Sequence, residues 1–163
     1  MSTQEPPPAR PSAGPDLSVP ARRAGTAGAG RWRVLAVIAA GGALGATARY
    51  AASLAWPAAE GGFPWAVFAV NVTGCALIGV LMVLTAERGV VKHPLARPFL
   101  GVGVLGGFTT FSAYAGDVSR LLARQEAATA MAYAAATTVA ALGAVWGAAV
   151  LTRALVDRRG RTS

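Results

Sequence analysis

"GVGVLGGFTTFSAY", residues 101–114, lies inside a stretch that carries no charge from Phe99 to Gly116. The stretch is close to the ~20 residues that a helix needs to cross ~30 Å of hydrocarbon. Its centre, Gly106-Gly107 followed by Thr109, Thr110 and Ser112, is nevertheless poor helix material. Glycine loses the most chain entropy on ordering, and hydroxyl side chains compete for backbone partners. This composition predicts a helix broken at mid-membrane. Irregular backbone at that depth is tolerated only where it is buried in protein or lines a cavity. A break frees carbonyl oxygens, which suit a hard cation such as Na⁺, while adjacent hydroxyls and amide donors suit a small anion. Phe111 and Tyr114 stand three apart, on one helix face, where the positive edges of their rings can meet an anion. A simple glycine kink is the competing reading.

Three further apolar runs accompany this one. Val34 to Trp56 is interrupted only by Arg49, and Trp65 to Thr85 and Ala127 to Thr152 have no charge at all. With 163 residues, 54% hydrophobic and 13% charged, and a mean hydropathy of +0.47, the chain reads as one all-α membrane protein of four transmembrane helices. The net charge of +8 would suggest nucleic acid in a soluble protein. Here the basic residues sit at segment ends, as orientation signals and lipid contacts, and no basic face with interleaved aromatics exists. Nucleic acid is therefore not an expected partner. Cys75 is the only cysteine and lies in an apolar run, so it reads as a small buried hydrophobe. A lone His93 with no second cysteine excludes a His/Cys metal site.

Residues 1–30 are rich in Pro, Ala, Gly and Arg and are expected to be a disordered tail. Residues 31–156 are expected to form the four-helix transmembrane domain and 157–163 a basic C-terminal tail. With both termini cytoplasmic, twelve of the fifteen basic residues lie inside, leaving Arg49, Arg120 and Arg124. The positive-inside rule thus gives one preferred orientation in the cell membrane. Gly41/Gly45, Gly103/Gly107 and Gly143/Gly147 are each four apart and predict close helix approaches.

Polar residues inside the runs need reasons. Arg49 is either a snorkelling interfacial arginine or a charge that concentrates anions at a pore mouth. Asn71 is either an interhelical tether or an amide donor to an anion. Thr129, Tyr133 and Thr137 recur at every fourth position and form one polar line, although a threonine can also satisfy itself on the preceding turn.

"GGALGATARY" at 41–50, "VNVTG" at 70–74 and "GGFTTFSAY" at 106–114 resemble, in order and spacing, the signatures of the CrcB/Fluc fluoride channels over residues 32–152. The resemblance implies an antiparallel dimer with two fluoride pores along the subunit interface. It implies a structural, untransported Na⁺ on backbone carbonyls of the broken third helix, here Gly106 and Thr109. Pore residues then fall on Asn71, Thr110, Phe111, Ser112, Tyr114, Tyr133 and Thr137, and the vestibule arginine on Arg49. Tyr114 stands where the family usually has phenylalanine, and Phe108 where it often has an aliphatic residue. Asp117 matches an acidic residue that follows the motif.

Passive fluoride export is the function so implied. A small four-helix multidrug exporter would want a carboxylate in the membrane, and the four uncharged runs contain none. A non-conducting assembly subunit explains the glycines but not the converging hydroxyls, Asn71 and Arg49. No nucleophile–base pair or nucleotide loop is present, so an enzyme is not expected. The charge bias opposes insertion in both directions, which points to a homologous second subunit of opposite bias as the dimer partner.

Overall fold

A computed structural model describes residues 24–87 and 93–160. Among them there are helices and no strands: α1 (Ala24–Ala55), α2 (Trp65–Met82), α3 (Gly106–Phe108), α4 (Phe111–Ala123) and α5 (Ala127–Gly160). Two π-wound segments join them, Val83–Glu87 continuing α2 and Arg97–Leu105 leading into α3. Four of the resulting spans are long and apolar enough to cross a membrane: Gly30–Ala55, Trp65–Glu87, Arg97–Ala123 and Ala127–Arg158.

The first and last helices extend into the stretches read as tails. The described part of α1 starts at Ala24, so residues 24–30 of the expected N-terminal tail are helical. At the other end α5 runs to Gly160, taking in part of the expected C-terminal tail. Residues 1–23 and 161–163 lie outside the described residues.

The third span changes neighbours along its length. Its first half, Arg97–Leu105 with α3, packs on α1, whereas α4 packs on α5, which also packs along α2. Glycine makes the first contact possible. A Cβ on Gly41 would lie 2.6 Å from the Phe99 carbonyl, one on Gly103 2.9 Å from the Ile38 carbonyl, and one on Gly45 would overlap the Val104 carbonyl. Backbone therefore meets backbone, as the first two glycine pairs lead one to expect. Gly143 and Gly147 do not follow: an added Cβ there meets nothing within 4 Å, so this pair makes no close approach within the chain.

Between the halves, the backbone is extended at Thr109 (φ −72°, ψ 155°) and Thr110 (φ −151°, ψ 124°). At its far end α4 closes with paired bonds, Gln125 N–H to Leu122 O (3.0 Å) and Glu126 N–H to Leu121 O (2.9 Å), around Gln125 in the left-handed region (φ 64°). This tight turn brings α5 back antiparallel against α4. The core is small: Leu121, Ala130 and Tyr133 are buried, with Phe63, Phe68, Tyr114 and Val118 packed around them. Large apolar residues such as Leu142, Trp146 and Val139 are instead exposed along α5. Such a surface suits hydrocarbon or a partner helix, not water.

Candidate functional site

The site is built around Thr109 and Thr110. Thr109 ends α3 twice over, its N–H and its hydroxyl both donating to the Leu105 carbonyl (3.0 and 2.9 Å). In a continuous α-helix the Thr110 N–H would bond the Gly106 carbonyl. It donates instead to Asn71 Oδ1 (2.9 Å), while Asn71 Nδ2 donates to the Thr110 carbonyl (3.1 Å). The Ala113 N–H would likewise bond the Thr109 carbonyl, but donates to Thr110 Oγ1 (3.1 Å), which caps α4. The Gly106 and Thr109 carbonyls thus both lose their helical donors. The Gly107 carbonyl accepts from Arg49 Nε (3.2 Å).

Around this dipeptide lies a groove of about 270 Å³, lined by Asn71, Cys75, Thr109, Thr110, Phe111, Tyr114, Thr137, Thr138 and Ala141. Of the residues expected from sequence, Asn71, Thr109, Thr110, Phe111, Tyr114 and Thr137 therefore meet at one surface. Phe111 opens α4 and is 79% exposed, its ring centre 5.8 Å from that of Tyr114. The Tyr114 hydroxyl, the group that distinguishes it from phenylalanine, donates to the Ala134 carbonyl (3.3 Å). That bond ties the ring to α5 and keeps the hydroxyl occupied.

Four expected residues stand outside the groove lining. Ser112 touches it indirectly, with its Oγ 3.2 Å from Thr110 Oγ1. Tyr133 is fully buried behind Tyr114 (ring centres 5.4 Å apart), and its hydroxyl donates to Asp117 Oδ2 (3.3 Å). Gly106 belongs to α3, and Arg49 reaches α3 from α1 through Gly107.

Thr137 differs from the other threonines. Thr47, Thr85, Thr138 and Thr152 each donate to the carbonyl four residues back. The Thr137 hydroxyl is buried and has no partner among the described residues. A buried donor left unpaired costs free energy, so its place in the groove wall calls for a ligand or water.

Two features escaped sequence reasoning. Cys75 is half-buried and lines the groove, where a buried apolar role was expected. Its spacing of four from Asn71 was the available signal. Asp117, moreover, is a buried carboxylate within the third span, because α4 continues to Ala123 beyond the uncharged run. The uncharged run itself still holds no carboxylate, but the helical span that contains it is longer and takes Asp117 in. Asp117 is held by Arg120 on one oxygen and Tyr133 on the other. It also lines a second cavity of about 240 Å³ beside the α1–α2 loop, with Glu60, Arg120 and Arg124.

The match with known proteins agrees with this architecture. The family model described as CrcB-like protein, Camphor Resistance (CrcB), matches residues 36–149. The Fluoride-specific ion channel FluC 1 of Streptomyces coelicolor is 55% identical over 132 residues, covering 78% of this chain and 85% of the relative. FluC 2 of Streptomyces avermitilis is 54% identical over 121 residues, 74% of this chain and 75% of its own. The FluC protein of Paracoccus denitrificans is 45% identical over 108 residues, 66% of this chain and 85% of its own. With four membrane spans, and with a family match over most of its length, the chain belongs to the CrcB/Fluc family of ion channels and is not an enzyme.

Proposed function

We propose that this chain is a subunit of a fluoride channel through which F⁻ leaves the cell passively, and that the groove beside Thr109 and Thr110 is one wall of its path. The donor set of that groove carries the reading. Fluoride gives up its water only where short-range donors replace it. Asn71 Nδ2 has two hydrogens and spends one on Thr110, so the second is available. The Thr137 hydroxyl is unspent, and the rings of Phe111 and Tyr114 offer positive edges beside them. No carboxylate lines this wall to repel an anion. Relatives named fluoride-specific ion channels support the same substrate.

A structural Na⁺ fits the carbonyls of Gly106 and Thr109. Both have lost their helical donors, and neutral oxygen suits a hard monovalent cation. When bound, it would supply positive charge that holds the interrupted third span together. The ion itself is not transported. The second wall of the path comes from an antiparallel partner, and the exposure of Phe111 on the open side of the groove supports such a partner. Because the basic residues favour one orientation, with both termini cytoplasmic, the partner is a homologous subunit of opposite bias.

The buried Asp117 does not favour a proton-coupled exporter. Its two oxygens are engaged by Arg120 and Tyr133, so neither stands open toward the groove. The test is growth. The full chain, with its homologous partner where one is needed, is expressed in a bacterium whose own fluoride export has been deleted. Restored growth on fluoride is expected, and unrestored growth with the protein present in the membrane would contradict the reading.

A further inference from the structure

On α2, Cys75 follows Asn71 by four residues and so continues the same face one turn further along the groove. It shares the groove lining with Thr137 and Thr138 of α5, the helix packed along α2. Thr138 is self-satisfied, its hydroxyl donating to the Ala134 carbonyl (3.0 Å). Thr137 is not: it is 5% exposed, it lines the groove, and its hydroxyl has no partner among the described residues. An unpaired buried hydroxyl in a wall implies something that comes and goes there and accepts its hydrogen. The Cys75 thiol in the same wall is a weak donor of the same kind.

Resting on the fluoride-path reading above, we propose that Cys75 is a wall residue of the ion path, forming with Thr137 a further donor step beyond Asn71. It follows that the path carries a built-in site for soft, thiophilic cations. Mercury(II) is the representative: an S–Hg bond forms at Cys75, the S–H bond breaks, and the proton passes to water, with no change of oxidation state. The adduct puts bulk and a positive charge into a passage that strips an anion of its water, where an anion is then trapped or excluded. Because Cys75 is the only cysteine of the chain, the native protein is its own single-site reporter.

The experiment uses the full-length chain, with its partner where needed, in liposomes loaded with potassium fluoride. Mercury(II) chloride is added, and fluoride efflux and the Cys75 adduct are followed together, the adduct by mass spectrometry. Efflux is expected to fall at least ten-fold as the adduct forms and to return on adding excess dithiol. Cys75→Ala should lower basal efflux by roughly three-fold, the effect of losing one weak donor, and should abolish the mercury response. Cys75→Ser keeps a donor at the wall, so its efflux should exceed that of Cys75→Ala, without restoring the response. Full efflux from protein carrying the Cys75 adduct would overturn the proposal, as would equal mercury inhibition of Cys75→Ala. If the untreated protein moves no fluoride, the failure belongs to the channel reading. In that case a charged, membrane-impermeant methanethiosulfonate reagent decides the placement. Rapid labelling of Cys75 keeps it on a water-accessible wall, and no labelling removes it.

Discussion

Asn71 and Thr110 exchange two hydrogen bonds, the side-chain amide of one pairing with both backbone groups of the other at 2.9 and 3.1 Å. The carboxamide thereby replaces a peptide group that the interrupted third span lacks. It explains how extended backbone is held at membrane depth, where an unpaired N–H or C=O is costly. It also leaves one amide hydrogen of this groove-lining residue unspent. The two readings of Asn71 open from sequence, tether and donor, are thus compatible in a single residue.

Asn71→Leu removes both bonds and leaves the Thr110 N–H and carbonyl unpaired. Stability is expected to drop by about 1–3 kcal/mol and fluoride efflux at least ten-fold. Thermal unfolding in detergent and efflux from liposomes check the two parts separately. Parental values in both would show that the amide neither holds the backbone nor serves the ion.

Phe111→Ile separates conduction from folding. The ring is 79% exposed, so its loss should change the stability of the chain by no more than ~0.5 kcal/mol. The positive ring edge disappears with it, and efflux should fall by an order of magnitude or more. Unchanged efflux with an intact assembly on size-exclusion chromatography would return Phe111 to packing.

Gly45→Ala addresses the fold. The added methyl overlaps the Val104 carbonyl, a backbone atom that cannot swing aside, so α1 must move off the first half of the third span. A loss of about 1–3 kcal/mol is expected. Gly116→Ala is the comparison: its methyl meets nothing within 4 Å, and helix propensity favours it by up to ~1 kcal/mol. Thermal unfolding of the pair in the same detergent checks the ordering, and equal behaviour would contradict the close approach.

How much of this could be read beforehand depends on the range of the interaction. The four spans follow from the length of uncharged runs, because hydrocarbon thickness acts on each segment separately. The weakness of helix at Gly106-Gly107 and Thr109-Thr110 is equally local. What Asn71 bonds is not local, since Thr110 lies 39 residues away. The place of Cys75 in the groove wall is not local either: nothing in the chain near it says that α5 packs alongside. The glycine pairs make the point most sharply. Gly41/Gly45 and Gly143/Gly147 have the same spacing, yet only the first meets another backbone within the chain. Asp117 lies beyond the uncharged run because a count of uncharged residues stops at the first charge, whereas α4 goes on past it with Arg120 alongside.

Orientation is checked with the chain expressed alone and a C-terminal reporter active on one side of the membrane only. The excess of basic residues at the termini and in the stretch 88–97 between the second and third spans predicts a cytoplasmic C-terminus in nearly all copies. Comparable signals from both sides, with fluoride efflux from this chain by itself, would replace the homologous partner by a second copy of the chain.

The central claim is that the groove wall conducts fluoride past a cation that stays in place. Purified full-length protein, with its homologous partner where needed, is reconstituted into liposomes loaded with fluoride, chloride and sodium-22. A potassium ionophore balances charge, and all three ions are followed in one run. The account predicts that fluoride leaves while chloride and sodium-22 remain inside. Efflux of chloride alongside fluoride, or of sodium-22 in parallel with it, would contradict it.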